Sequence, residues 1–261
     1  MDLCLTGKKV LITSASQGIG AGLAQAFAEE GCHLKLTARS LQRLDNVKEQ
    51  ILVKNSFANV EIFPLDLTLQ DASDILVDKV GDIDILINNA GVVPSGSIFD
   101  LNEKEFKEGL ELKIFSYVNL CRHYYPRMKI QGGGVIINNI GNGGEICDPQ
   151  YFSGAMANSS LMALTKALGS RSLEDNIRII GVNPGPVNSG RIYKMLRHRA
   201  SSDLGDENLY RDLIQKYPLG RPAHLYEITD LIIFLASYHS GYTSGTIFTV
   251  DGGISSRHSL V

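Results

Sequence analysis

The chain is predicted to be a doubly wound, Rossmann-type α/β fold, with a central parallel sheet of about seven strands and helices on both faces. Three features of the 261-residue sequence carry that prediction. Short apolar runs alternate with longer segments of helical period from residue 10 to residue 250. The runs ILIN, GVIIN and IRIIGV are apolar without alternation, the pattern of strands buried on both faces. The first run, VLIT, passes straight into a glycine-bearing turn, SASQGIG, that opens a helix.

Strands are expected at residues 10–13, 34–37, 60–63, 83–88, 135–139, 177–182 and 246–250, joined by right-handed crossovers. Ligands of such sheets sit beyond the carboxyl ends of the strands, so the residues that follow each strand are the candidates for chemistry. After the first strand, Ser14, Ala15, Ser16 and Gln17 form a turn, Gly18 lets the backbone approach a phosphate, and Gly20 lets the helix pack close to the strand. That arrangement suits the pyrophosphate of a dinucleotide. The second strand ends in Ala38 and Arg39, the third runs into Asp66 and Leu67, and the fourth into Asn88, Asn89, Ala90 and Gly91.

Composition narrows the partners. A hydrophobic content of 44% over this length supports one domain spanning residues 1–261, with a well-buried core. The net charge of -3 gives no basic surplus for a nucleic-acid backbone or an anionic membrane, so a small molecule is the expected partner. Cys4, Cys32, Cys121 and Cys147 lack disulfide or metal-ligand spacing, which leaves no expected metal site and points to reduced thiols. With no targeting segment and no long apolar run, a cytoplasmic location is expected.

TSASQGIG, the Asp-Leu pair at 66–67 and NNAG at 88–91 recur at the intervals of the classical short-chain dehydrogenase/reductase family, which the chain resembles. The resemblance continues through VNPGPVNS at 182–189 and from LGRPAHLYEI to TVDGG at 219–253. It implies cofactor contacts from Ser14, Ser16, Gln17, Gly18, Ile19 and Gly20. It further implies that Asp66 and Leu67 meet the adenine, that Asn89, Ala90 and Gly91 line the ribose, and that Pro184, Gly185 and Val187 flank the nicotinamide. Ser14 stands where the family has its first glycine. No carboxylate ends the second strand to bind a ribose 2′-hydroxyl, and the Arg39 guanidinium suits a 2′-phosphate, so NADP(H) is expected in preference to NAD(H). The resemblance also implies a homo-oligomer, a tetramer or dimer, built on the long helices after the fourth and fifth strands and on the C-terminal strand.

The catalytic slots depart from the family. Its members place a Ser after the fifth strand, a Tyr-x-x-x-Lys pair on the next helix and an Asn on the helix before. Ungapped alignment back from NIRIIGVNPG puts Gly154 in the Tyr slot, Asn158 in the Lys slot, Asn142 in the Ser slot and Lys113 in the Asn slot. A positioned acid or base is worth about 10²- to 10⁴-fold, whereas orienting two reactants contributes roughly 7 to 11 kcal/mol, so hydride transfer survives such a loss in principle. Lys113 is the candidate cation or proton source. Tyr151, three residues before the empty slot, and Asn142 and Asn158 are candidate hydrogen-bonding groups for substrate and ribose. Cys147 and Asp148 are weaker candidates, as nucleophile or acid.

A substrate lid is expected over residues 188–217. There Arg191, Lys194 and either Arg197 or His198 share a helical face, so an anionic substrate is one candidate, while Asp203, Asp206, Glu207 and Asp212 follow as potential counter-charges. Three functions fit these observations. The first is an NADP-dependent oxidoreductase with a rearranged active site, acting on a small carbonyl or hydroxyl compound. The others are a lyase or hydrolase that reuses the pocket, and a dinucleotide-binding protein without catalysis.

Overall fold

The computed structural model describes residues 1–91 and 93–257. Its strands are β1 (Lys9–Thr13), β2 (His33–Ala38), β3 (Val60–Pro64), β4 (Ile85–Asn88), β5 (Gly134–Asn139), β6 (Ile177–Pro184) and β7 (Thr246–Val250). They form one sheet in the order β3-β2-β1-β4-β5-β6-β7, and every pairing is parallel. All seven expected strands are present. β4 begins at Ile85, two residues later than expected, and just before it the Asp84 carboxylate accepts the Lys9 N–H at 2.8 Å.

The connecting helices are α1 (Gly18–Glu29), α2 (Leu41–Lys54), α3 (Ala72–Val80), α4 (Glu103–Leu110), α5 (Ser116–Gln131), α6 (Gly143–Ile146), α7 (Phe152–Gly169), α8 (Gly190–Leu204), α9 (Tyr210–Gln215) and α10 (Tyr226–Ala236). Alternate residues of β1 face opposite layers, as strand geometry requires. Val10 and Ile12 pack with Leu23 and Phe27 of α1, Leu44 of α2 and Ile232 of α10. Leu11 packs on the other face with Leu76 of α3, Leu120 and Tyr124 of α5 and Leu161 of α7. The C-terminus of α10 is closed by a side chain from the sheet: buried Arg178 donates to the carbonyls of Leu235, Ala236, Ser237 and Ser240, and so supplies donors to carbonyls at and just beyond the helix end.

The winding reverses between β1 and β4, and there the strand ends diverge to leave a crevice. Thr13, fully buried at the end of β1, ties the two sides together. Its Oγ1 accepts the N–H groups of Asn89 at 2.8 Å and Ala90 at 2.9 Å, and its carbonyl accepts from the Asn89 Nδ2 at 3.0 Å. Asn139, at the end of β5, donates to the Asn89 Oδ1 at 2.6 Å and extends the tie to a third strand. Below it, Asn88 donates to Asn138, and Asn138 to Thr165 on α7. Thr13→Val keeps the shape and strands two amides, so it is expected to cost about 2 to 4 kcal/mol in urea unfolding, with Thr13→Ser costing clearly less. Equal losses for the two variants would show that the hydroxyl is not what matters.

Candidate active site

The turn after β1 has the geometry of an anion cradle. Ser14 adopts φ +49° and Gly18 φ +56°, and a side chain at Gly18 would project into open space. At Gly20 a Cβ would overlap the Ser14 carbonyl and sit 2.6 Å from the Asn89 Nδ2, so only glycine lets α1 approach the strand this closely. Gln17, the N-cap of α1, places no side-chain oxygen on the first turn, which leaves the helix amides for an external anion. Ser16 and Ile19 are partly buried, and Ile19 packs against the core. These features fit a dinucleotide pyrophosphate.

Around that cradle, Arg39 follows β2 with its side chain 73% exposed and its guanidinium 3.9 Å from the Asp66 carboxylate. Asp66 is steadied by the N–H and hydroxyl of Thr68, and Leu67 is buried. A second arginine, not singled out from the sequence, joins them: Arg43 on α2 donates to the Gln17 Oε1 at 3.0 Å. Its signal was legible, since a cation in the first turn of a helix opposes the macrodipole and makes sense if an anion sits nearby.

Lys113 reaches the crevice from an unusual piece of backbone. α4 and α5 are joined without a break by a π-helical turn, Glu111–Phe115, a feature concentrated at functional sites. Lys113 is 6% exposed; its stem fills the space that a Cβ on Gly91 would occupy, and Gly91 itself holds φ +140°. The ammonium donates to the carbonyls of Ile140 at 2.8 Å and Asn139 at 3.2 Å, and lies 3.4 Å from the Tyr117 hydroxyl. Burial, and then the positive charge of Arg191, push the amine down to about 7.

The other slots converge on the same β5 end. Gly154 carries no side chain, and the ring of Tyr151 lies where one would project; a Cβ there would sit among the ring atoms, 2.6 Å from Cε2. Tyr151 and Asn158 also border Gly143, at 3.1 and 3.2 Å from the position of its absent Cβ. Asn158 is 4% exposed and its amide has no hydrogen-bond partner among the described residues. Asn142 donates its N–H to Pro184 and its amide to Asp251, beside Gly185. Gly185 bonds back to Val250, and Val187 bridges to Ala223. Lys113, Asn142, Tyr151 and Asn158 therefore meet around residues 139–143.

A Tyr-x-x-x-Lys spacing does exist elsewhere in the chain, at Tyr125 and Lys129. Both are bonded to Asp175 at 2.8 Å, just before β6, at the amino ends of the strands and so at the opposite end of the sheet from the crevice. Cys147 is exposed in a left-handed turn, and the Asp148 carboxylate accepts the Gln150 N–H within the same loop. Among the described residues, no three His, Cys, Asp or Glu side chains are grouped to hold a metal ion. No helix among them is long and apolar enough to cross a membrane.

The lid segment is helical, formed by α8, a short 3-10 turn (Glu207–Leu209) and α9. Its basic residues divide. Arg197 stacks on the Tyr210 ring at 5.1 Å and Arg199 pairs with Asp203 at 3.1 Å, whereas Arg191 turns back toward the crevice, with Nη1 3.5 Å from the Gly91 carbonyl.

Comparisons with known proteins agree with this architecture. Residues 14–255 match the family model described as enoyl-(acyl carrier protein) reductase. An uncharacterized oxidoreductase of Thermotoga maritima is 32% identical over 250 residues, covering 95% of this chain and 97% of that protein. Oxidoreductase UcpA of Salmonella typhimurium is 31% identical over 258 residues, with 95% of each chain covered. Among solved structures, L-sorbose reductase from Gluconobacter frateurii, complexed with NADPH and L-sorbose, superposes with a TM-score of 0.90 at 29% identity, over 99% of this chain and all of that one. With the sheet order, the glycine cradle and these matches in agreement, the chain belongs to the short-chain dehydrogenase/reductase family.

Proposed function

We propose that the protein is an NADP(H)-dependent oxidoreductase that interconverts a small carbonyl compound and its alcohol, with Tyr151 and Lys113 serving in place of the family's usual Tyr–Lys pair. The observation that carries this reading is the ring of Tyr151 in the volume left by Gly154, beside the unpartnered Asn158 and the β5 end that holds Lys113. The solved relative that holds NADPH and L-sorbose supports the redox chemistry and the phosphorylated cofactor.

In this reading the α1 amides hold the pyrophosphate, and Arg39 and Arg43 hold the 2′-phosphate. Asn89 fixes the wall beside the ribose, and Asp66 meets the adenine. Asn158 offers its amide to the nicotinamide ribose, where the family uses a lysine. Bound there, the nicotinamide supplies or accepts the hydride. The Tyr151 hydroxyl donates to the substrate oxygen. Lys113, buried beneath the Asn139 and Ile140 carbonyls, supplies positive charge and a titrating proton close to neutral pH. Asn142, held by Asp251, positions the turn rather than the substrate. Neither Cys147 nor Asp148 has the paired base or buried setting that a nucleophile or general acid requires, which disfavours the lyase and hydrolase readings.

Replacing Arg39 or Arg43 by Ala is expected to weaken NADPH binding about tenfold or more while changing NADH binding little, as read by calorimetry. Equal losses for the two nucleotides would refute the 2′-phosphate assignment. Lys113→Met is expected to lower kcat/KM by about 10²- to 10⁴-fold with NADPH affinity retained. The same variant tests the burial of charge. A lysine whose pKa falls from 10.5 in the unfolded chain to about 7 in the folded one costs most stability when charged in both states. The wild type should therefore gain stability relative to Lys113→Met as pH rises from about 7 to about 10.5, measured by urea unfolding. A pH-independent difference would contradict the burial of the ammonium.

A further inference from the structure

Two cations meet at the Gly91 segment, and neither is paired with a carboxylate among the described residues. The acidic groups near the β5 end accept hydrogen bonds from neutral donors instead. Asp251 accepts from Asn142 and from the amides of Gly253, Ile254 and Ser255. Glu145 accepts from Asn183 and Thr249, and so is turned toward β6 and β7. Lys113 is buried on backbone carbonyls and has no carboxylate partner among the described residues. Arg191, exposed at the start of α8, forms no ion pair among the described residues; its polar contact is the weak one to the Gly91 carbonyl. Gly91 separates Arg191 from the Lys113 stem, so the two cations flank one backbone segment. The coupling between them runs the same way, since Arg191 helps to depress the Lys113 amine.

We infer that Arg191 is the residue that selects the substrate, by pairing with the carboxylate of a small oxo acid or the matching hydroxy acid. This rests on the oxidoreductase reading above and gives that site its substrate class. Four basic side chains on the same helix do not share the role. Arg197 and Arg199 are spent on Tyr210 and Asp203, and Lys194 and His198 follow further along α8, beyond the residue that touches Gly91. A single guanidinium fork offers two parallel N–H donors and one positive charge, which matches a monoanionic carboxylate. Within the same crevice, the Tyr151 ring and the unpartnered amide of Asn158 border Gly143 and leave hydrogen-bonding groups for the reacting oxygen. One end of the substrate is thus held by charge and the other by neutral donors.

The same fork also suits a cofactor diphosphate, and the experiment separates the two sources. The wild type, Arg191→Gln, Arg191→Lys and Arg197→Gln are compared with a panel of 2-, 3- and 4-oxo acids, each against its uncharged amide. Turnover is followed by nicotinamide absorbance, and binding to the NADP⁺ complex is followed by calorimetry. The wild type should prefer at least one acid over its amide by about tenfold or more. Arg191→Gln should erase that preference through KM, Arg191→Lys should restore part of it, and Arg197→Gln should keep it. Acid binding that is lost in Arg191→Gln, in a protein with no turnover at all, supports the carboxylate site while removing the oxidoreductase reading. Turnover of amides and acids alike leaves that reading standing and overturns the carboxylate site. A loss of NADPH affinity in Arg191→Gln as large as its loss of acid affinity assigns Arg191 to the cofactor and overturns it equally.

Discussion

One hydroxyl holds the crevice open in a defined shape. A parallel sheet whose winding reverses between β1 and β4 lets two strand ends part, and without a tie between them the loops that follow have no fixed relation. Thr13 supplies the tie, by accepting two backbone N–H groups from the turn after β4 while buried from water. Asn89 and Asn139 carry the connection on to β5. The cradle before α1, the turn at residues 89–91 and the platform at residues 139–143 are thereby set against one another. Gly20 adds a steric condition from the other side, because α1 closes on the strand only where no Cβ intervenes.

On that frame two side chains close on the crevice. Two glycines each surrender volume to a side chain from elsewhere: Gly91 to the stem of Lys113, and Gly154 to the ring of Tyr151. In the proposed function, this buried cation and this phenol take the places of a relay residue and a tyrosine. Burying an ammonium is costly unless its protons are bonded. Lys113 meets that condition with two carbonyls and a neighbouring hydroxyl, and the π-helical turn orients it. Burial, with Arg191 nearby, holds its amine down to about 7.

Much of this was legible in the residues. Continuous apolar runs marked the strands because both faces of the sheet are covered, and TSASQGIG and NNAG marked the crevice because backbone geometry there demands small residues. The alignment also placed Lys113, Asn142, Tyr151 and Asn158 near one another, although it did not reveal how. That Tyr151 reaches back over Gly154 depends on the turn before α7, and that Lys113 points inward depends on a π turn which apolar periodicity does not encode. Arg43 carried a local signal, a cation in the first turn of α2, but its contact with Gln17 is remote in sequence. In the basic cluster of α8, Asp203 serves as a counter-charge as its sequence position suggested, by pairing with Arg199, whereas the stacking of Arg197 on Tyr210 depends on how α8 and α9 pack. The Tyr125 and Lys129 spacing shows the converse, a family signature that the topology puts at the amino ends of the strands, away from the crevice.

The proposed site stands or falls on where the Tyr151 hydroxyl points when the crevice is occupied. A crystal structure of the ternary complex with NADP⁺ and a hydroxy acid measures this directly. The hydroxyl is expected within about 3 Å of the substrate oxygen, with that carbon facing the nicotinamide ring and Asn158 bonded to the adjoining ribose. A ring turned away from both ligands, or a nucleotide seated elsewhere than over the 14–20 turn, would contradict it.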